Sequence, residues 1–140
     1  ESEIFLIGIY KNGYILSELI KNELKIISNS KINLCCLNIN KKEPFNNLEF
    51  DFELIQMKNK SVVLIDDVLN SGKTLIYGVK YLLDIPLSNF NTAVLIDRNH
   101  KKFPIKIDFK GISLSTSIEE NVNVVFDKNK SYAIIDWEFQ

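Results

Sequence analysis

The hydrophobic pattern of this chain switches repeatedly between two periods. Apolar residues recur every three or four positions at 14–27 and 72–83, which predicts two amphipathic helices. Continuous apolar runs predict buried strands at 3–10, 32–39, 61–66 and 92–97. Strict alternation predicts a half-exposed strand or hairpin arm at 48–55. Shorter strands are predicted near the end, at 105–109, 122–126 and 133–135.

Strands that alternate with helices predict an α/β fold, with a mainly parallel twisted sheet flanked by helices on both faces. Such sheets bind ligands at the carboxyl ends of their strands. Three predicted strands end at informative residues, which are Gly8, Asp66 and Asp97. The 140 residues are 46% hydrophobic and 25% charged, which is ordinary globular composition. We therefore expect 1–140 to form a single domain.

Composition and charge indicate which partners and which cellular location to expect. Seventeen basic and eighteen acidic residues give a net charge of −1, which is no electrostatic signature for nucleic acid. No apolar run reaches the roughly 18 residues of a membrane span, so we expect no membrane partner. Cys35 and Cys36 are adjacent and make poor disulfide partners, which favours reduced thiols and a cytoplasmic location. The chain begins at Glu1 without a signal-peptide pattern, and we expect an upstream segment to precede it.

The densest chemistry lies at 62–74, which reads VVLIDDVLNSGKT. A buried strand delivers Asp66 and Asp67 to the sheet edge, small polar residues follow, and a helix begins. Free backbone amides and the positive end of the helix dipole then converge, which suits a phosphate group. The two carboxylates suit a partner that donates hydrogen bonds, such as ribose hydroxyls, or a divalent cation.

Two other interpretations of this segment exist. The acids could simply cap the following helix. Gly72, Lys73 and Thr74 also match the end of a nucleotide P-loop, but Asp67 occupies the position where that motif requires its first glycine.

The segment resembles the phosphoribosyl pyrophosphate (PRPP) binding motif of type I phosphoribosyltransferases. That motif is an apolar strand, two acids, two variable residues and a small loop ending Ser/Thr-Gly-x-Thr. AVLIDRNHKKFPI at 93–105, DFKG at 108–111 and STS at 115–117 extend the resemblance to the bifunctional pyrimidine-operon attenuator and uracil phosphoribosyltransferase family. The resemblance runs from Ile4 to about Phe126. It implies the type I phosphoribosyltransferase fold with a small hood region.

The resemblance assigns roles to two loops. Asp66 and Asp67 would be the catalytic acids that hold the ribose hydroxyls. The 5-phosphate would be held by the loop residues Asn70, Ser71, Gly72, Lys73 and Thr74. The family's pyrophosphate loop falls at 8–13, which reads GIYKNG, and its candidate contacts are Tyr10, Lys11, Asn12 and Gly13. Asn12 stands where the family usually has an arginine, and an ordinary strand-to-helix turn is the alternative for this loop.

Two further regions supply candidate contacts to the base or to pyrophosphate. Segment 38–55 falls where type I enzymes carry a mobile loop that closes over PRPP, and it offers Lys41 and Lys42. It lacks the expected tyrosine-arginine-aspartate signature, and a solvated charged loop is equally compatible with it. The turn after the strand at 92–97 offers Asp97, Arg98, which is the only arginine, and His100. A modest basic run follows, made of Lys101, Lys102, Lys106 and Lys110.

The reaction that the resemblance implies is that of a pentosyltransferase in pyrimidine salvage. A nitrogen nucleophile, either a nucleobase such as uracil or another amine, displaces pyrophosphate from C1 of PRPP. Mg²⁺ would be held mainly through PRPP and would neutralise the leaving group. A second copy of the chain is expected as a partner, because apolar residues near the C-terminus exceed what a small sheet edge covers. They are Ile134, Ile135, Trp137 and Phe139.

Two other functions stay open. One is an RNA-binding regulator of pyrimidine genes on the same fold, which the near-neutral charge disfavours. Ile112 also counts against it, because the attenuator family has a lysine there. The other is a PRPP-binding protein without catalysis, given Asn12 and the altered mobile loop.

Overall fold

The computed structural model describes residues 2–137. The elements follow in the order β1 (Glu3–Ile9), α1 (Asn12–Ile27), β2 (Lys31–Asn38), β3 (Glu49–Phe50), a 3₁₀ helix (Leu54–Met57), β4 (Ser61–Leu69), α2 (Lys73–Leu82), β5 (Asn89–Asp97), β6 (Phe109–Ser113), β7 (Glu120–Val125) and β8 (Tyr132–Trp137). The predicted alternation of strands and helices is therefore confirmed.

The main sheet has six strands in the order β3-β2-β1-β4-β5-β6. The five strands from β2 to β6 in that order are parallel, and β3 pairs antiparallel with β2. In this register Gly8 of β1 lies beside Cys36 of β2 and Ile65 of β4. The carboxyl ends of β1, β4 and β5 therefore meet at one edge, where parallel sheets bind ligands.

Both faces of the sheet are covered, as the fold class predicts. On one face Leu16 of α1 packs with Leu6, Ile65 and Ala93. On the other face Leu75 and Leu82 of α2 join a larger cluster of buried residues from β1, β2 and β4. These two layers of side chains remove apolar surface from water, and this burial holds the helices against the sheet. Neither α1 nor α2 is long and apolar enough to cross a membrane.

Two strand predictions are wrong. Segment 48–55 forms only the short β3 and then the 3₁₀ helix, because the carboxylate of Asp51 accepts the amide of Cys36 and ends the ladder. The strand predicted at 105–109 begins only at Phe109. Before it, the amide of Thr92 donates to the carboxylate of Asp108, and the hydroxyl of Thr92 donates to the carbonyl of Lys106. These side-chain hydrogen bonds take the place of backbone pairing between strands.

Strands β7 and β8 form a separate antiparallel ribbon. Val122 and Val124 of β7 pack against Val68 of β4 and Ile96 of β5, close to the carboxyl ends of those strands. The ribbon thus lies beside the predicted site, with which it shares a cavity, and its role as the expected hood stays a prediction.

Candidate active site

The central strand does not end at Asp66 as predicted: β4 continues to Leu69, so both acids lie inside the strand. Asp66 is 3% exposed and Asp67 is 9% exposed. Because successive side chains point to opposite faces of a strand, Asp66 and Asp67 line different cavities. Asp66 lines a small one beside α2, and Asp67 lines a larger one beside the start of α1. Helix α2 is capped by Gly72, with no side-chain capping bond, so neither acid is a helix cap.

The phosphate loop forms the small cavity, which measures about 50 Å³. All five predicted residues, Asn70 to Thr74, line it. Gly72 has φ +87°, and a Cβ there would lie 2.7 Å from Cγ2 of Ile105, so only glycine suits the turn. The carbonyl of Ser71 accepts the amides of Lys102 and Phe103, which holds the loop in place. The N-terminus of α2 then begins at Lys73, as a phosphate cradle requires.

The larger cavity, of about 330 Å³, lies between β4, α1 and the ribbon. The amide of Asn12 donates to Oδ2 of Asp67 at 3.0 Å and to the carbonyl of Val124 at 2.9 Å. The amide of Val68 donates to Oδ1 of Asp67 at 2.8 Å. This cavity thus lies between Asp67 and the ribbon.

Helix α1 begins at Asn12, two residues before its predicted start. The turn that follows β1 is thus only Tyr10 and Lys11, whose peptide bond is cis, and both side chains are exposed. Gly13 lies against β4, where a Cβ would be 2.6 Å from the carbonyl oxygen of Ile65. Of the four predicted pyrophosphate contacts, only Asn12 lines either cavity.

Sequence comparison identifies the family. The phosphoribosyl transferase domain matches residues 1–129. The chain belongs to the phosphoribosyl transferase family. It is 32% identical over 139 residues to bifunctional protein PyrR of Ligilactobacillus salivarius, covering 90% of this chain and 76% of that protein. It is 33% identical over 129 residues to bifunctional protein PyrR of Fusobacterium nucleatum, covering 86% of this chain and 73% of that protein.

Solved structures give the same fold. Hypoxanthine phosphoribosyltransferase from Trypanosoma cruzi, complexed with the product IMP, superposes with a TM-score of 0.72 at 14% identity. A hypoxanthine-guanine phosphoribosyltransferase from Bacillus anthracis gives 0.64 at 14% identity. The alignments cover 89% and 81% of this chain, but only 61% and 65% of those chains. The fold class, the resemblance to PyrR and the expected enzyme class, a pentosyltransferase, are confirmed.

In this phosphoribosyl transferase the lone arginine is turned inward. Arg98 is 7% exposed. It donates to Oδ1 of Asn70 at 2.7 Å, to Oγ1 of Thr116 at 3.0 Å, to the carbonyl of Ser117 at 3.0 Å and to the carbonyl of Glu120. Most of its donors are therefore used within the protein. Arg98 links the phosphate loop to the segment that leads into β7.

Arg98 also lines the cavity that holds Asp67, whereas Asp97 lines neither that cavity nor the small one. His100 lines a third cavity, of about 490 Å³, together with Asn70, Ser71 and Arg98. Nε2 of His100 bonds the carbonyl of Thr116. The carboxylate of Asp97 accepts the amide of Asn99 and lies 3.5 Å from Nζ of Lys110. The structure thus gives Asp97 and His100 contacts within the protein, while their predicted role as ligand contacts stays a prediction.

The two lysines predicted in segment 38–55 differ in their position relative to the site. Lys41 lines both cavities, whereas Lys42 lines neither. The side chain of Asn40 accepts the amides of Lys42 and Glu43. The ring of Phe45 lies 6.3 Å from that of Tyr77, so this segment rests on the outer side of α2. Lys41 is the cation that this segment offers to the site.

Sequence reasoning missed the contribution of β7. Residues 121–124 line the larger cavity together with Asp67 and Asn12. Their sequence, NVNV, carries no motif. Only the packing of Val122 and Val124 on Val68 and Ile96 brings them to the site.

The acid pair fits Mg²⁺ only with further ligands. Within residues 2–137, no group of three or more His, Cys, Asp or Glu side chains is placed to hold a metal ion. Mg²⁺ requires about six oxygen ligands and usually keeps waters and substrate phosphates among them. Asp66 and Asp67 alone would therefore not hold Mg²⁺, and most of its ligands would have to come from a bound substrate and water.

Burial dominates the electrostatics of Asp66. Loss of solvent raises its pKa from 3.8 to about 8, Lys41 opposes that rise, and Asp67 adds to it. The amide of Asp67 also donates to Oδ1 of Asp66 at 2.9 Å. The Asp66 carboxyl is therefore largely protonated near neutral pH when no ligand is bound.

The stability of the ligand-free protein should depend on pH through Asp66. The folded state keeps a proton that the unfolded state releases above its ordinary pKa of 3.8, so this contribution to stability is full below that pH. It is lost progressively as pH rises toward about 8. Asp66→Asn removes the effect, so the variant should gain stability relative to the wild type between pH 5 and pH 8. Urea unfolding at both pH values measures this, and parallel pH profiles would contradict the raised pKa.

Proposed function

We propose that this phosphoribosyl transferase binds PRPP with Mg²⁺ and transfers the phosphoribosyl group to a nitrogen of a nucleobase, releasing pyrophosphate. The observation that carries the proposal is the position of the Asp66–Asp67 pair. Asp66 lines the cavity of the phosphate loop, and Asp67 lines the larger cavity, which β7 also lines. The resemblance found in the sequence favours uracil as the base, which places the reaction in pyrimidine salvage.

The roles follow from the two cavities. Residues 70–74 hold the 5-phosphate with backbone amides and the α2 N-terminus. Asp66 and Asp67 accept hydrogen bonds from the ribose hydroxyls. Lys41 and Lys11 supply positive charge for pyrophosphate. When bound, Mg²⁺ neutralises charge on the leaving group. The side chains need only orient PRPP and stabilise charge, so no covalent nucleophile is required.

The base would lie in the larger cavity, against β7. Among residues 2–137 this strand pairs only with β8, so the backbone groups on its other edge are candidates to bond a planar base. The carbonyl of Val124 already accepts from Asn12. Alternate residues of an antiparallel strand direct their backbone groups to the same side, so those of Val122 face the same way as the carbonyl of Val124, and those of Asn121 and Asn123 face β8. The backbone of Val122 is therefore the candidate to read the base, and such a contact leaves no side-chain motif.

PRPP with Mg²⁺ should raise the melting temperature, because a ligand that binds only the folded state stabilises it. At about 100 times Kd the gain in unfolding free energy is about 2.7 kcal/mol. Differential scanning fluorimetry measures the shift, with ribose and inorganic sulfate as controls that lack the full set of contacts. No shift at millimolar PRPP would contradict the proposal.

Self-association is supported by apolar side chains on the outer strands. Phe109 and Ile112 of β6 are 59% and 51% exposed, and Ile134 and Ile135 of β8 are 40% and 47% exposed. The predicted contributions of Phe139 and of the Trp137 side chain lie outside the described residues. We infer a homodimer that covers this surface. A monomeric mass by light scattering at micromolar concentration would contradict it.

A cytoplasmic location is supported by the two cysteines. Both are free thiols, and Cys35 is buried. Burial raises its pKa to about 12, so the thiol stays protonated and serves as a small core side chain. Reduced, inert thiols suit a reducing compartment.

RNA binding remains a weaker second function. In the basic run, Lys101 donates to the carbonyl of Ile105, while Lys106 pairs with Asp108 and Lys110 with Asp97. These charges are partly neutralised within the protein. Binding to RNA that weakens steeply with salt would favour the regulator function, and PRPP binding without turnover would favour the non-catalytic one.

A further inference from the structure

The side-chain amide of Asn12 has no free donor. A primary amide carries two N–H groups. One donates to Oδ2 of Asp67 at 3.0 Å, and the other to the carbonyl of Val124 at 2.9 Å. What remains is the carbonyl oxygen of the side chain, which accepts hydrogen bonds and offers nothing to the oxygens of pyrophosphate.

The same bond orients Asp67. Its Oδ1 accepts the amide of Val68 at 2.8 Å, and its Oδ2 accepts Asn12. Each carboxylate oxygen has a second lone-pair site. The two donors fix the orientation of the carboxylate, and therefore the direction of these remaining lone-pair sites. Asp67 is 9% exposed and lines the larger cavity, where a ligand can reach these sites. Two hydroxyl groups of a ribose are the chemistry that such a carboxylate accepts.

Asn12 is itself held firmly by its neighbours. It is the first residue of α1, and a Cβ on the next residue, Gly13, would lie 2.6 Å from the carbonyl oxygen of Ile65. The helix start therefore touches the backbone of β4 one residue before Asp66. On its other side, Asn12 bonds the strand whose Val122 and Val124 pack on β4 and β5.

We propose that Asn12 is a positioning residue, which fixes the Asp67 carboxylate for the ribose hydroxyls and ties the β7–β8 ribbon to it. Its side chain is not a pyrophosphate ligand, in contrast to the role expected from its place in the sequence. The proposal rests on the proposed function, because it assigns ribose to Asp67.

Separate binding of two fragments of PRPP tests the proposal. In Asn12→Ala, affinity for ribose 5-phosphate should fall about tenfold, because the Asp67 carboxylate loses one of the two donors that orient it. Affinity for inorganic pyrophosphate with Mg²⁺ should stay within about twofold, since no donor to it is removed. Isothermal titration calorimetry measures both. A selective loss of pyrophosphate affinity, an equal loss of both, or no change in either would overturn the proposal.

Asn12→Asp is a second variant, which keeps the shape of the side chain but lacks both N–H donors. Its affinity for ribose 5-phosphate should fall at least as far as that of Asn12→Ala. Asn33→Ala is the matched control. Asn33 donates to Oε1 of Glu3 at 2.8 Å, the same kind of bond at the opposite edge of the sheet. It should leave both affinities unchanged.

A double-mutant cycle shows whether Asn12 acts through Asp67. In an Asp67→Asn background, Asn12→Ala should cost less than about twofold in ribose 5-phosphate affinity. A full tenfold loss in that background would overturn the positioning role. If the wild type binds neither PRPP nor ribose 5-phosphate, the proposed function itself fails, an outcome distinct from any result with the variants.

Discussion

Asp67→Asn should weaken PRPP binding by about one to two orders of magnitude, the loss expected when a charged acceptor becomes neutral. The substitution keeps size, but one of the two oxygens that accept Val68 and Asn12 becomes an NH₂ group that faces a donor. The free energy of unfolding should therefore fall by about 1–3 kcal/mol, and PRPP affinity is compared where both proteins are fully folded. Titration calorimetry with PRPP and Mg²⁺, together with urea unfolding, measures both quantities.

Asp108→Asn is the matched control for this experiment. Asp108 accepts the amide of Thr92 at 2.9 Å and lines neither cavity. Its substitution should leave PRPP affinity unchanged. Unchanged PRPP affinity in Asp67→Asn would show that the acid does not bind ribose. The helix-cap alternative predicted that result, because asparagine caps as well as aspartate, but the position of Asp67 inside β4 excludes it.

Gly13→Ala should destabilise the fold by roughly 1–3 kcal/mol. Alanine is normally the better helix former by up to about 1 kcal/mol, so the sign is reversed here. The added Cβ would lie 2.6 Å from the carbonyl oxygen of Ile65 and 3.1 Å from Cα of Asp66. Both are backbone atoms of β4, so α1 must move, and PRPP affinity should fall with stability.

Gly78→Ala in α2 is the matched control for Gly13→Ala. Its added Cβ would meet the side-chain ends of Leu64 and Ile39, at 3.0 and 3.3 Å. Flexible side chains can yield, so Gly78→Ala should cost less than Gly13→Ala. Urea unfolding compares the two. A stabilised Gly13→Ala would show that helix propensity outweighs the contact with β4.

The parts of the site that were predictable are contiguous in sequence. Strand, acids, loop and helix follow one another from Ser61 to Leu82, so local pattern and motif spacing place them together. The predicted turn before α1 was partly wrong, because Asn12 and Gly13 resemble turn residues but belong to the first helical turn. The close approach of Gly13 to β4 is a tertiary contact that no local pattern shows.

Residues far apart in sequence account for what could not be predicted. Val124 reaches Asn12 across 112 positions, and its strand carries no chemical motif. Arg98 is a suitable anion ligand by type, but the structure gives its donors to Asn70 and to residues before β7. Sequence shows which donors exist, while packing decides which acceptors they meet.

Release of pyrophosphate from PRPP, with Mg²⁺ and a panel of acceptors, tests the central claim most directly. Uracil, purine bases and amines that are not bases are compared at equal concentration, and the nucleotide formed is identified by mass. We expect release that depends on uracil, with one nucleoside monophosphate formed for each pyrophosphate. Absence of release with every acceptor, from a protein that still binds PRPP, would contradict the assignment as an active phosphoribosyl transferase.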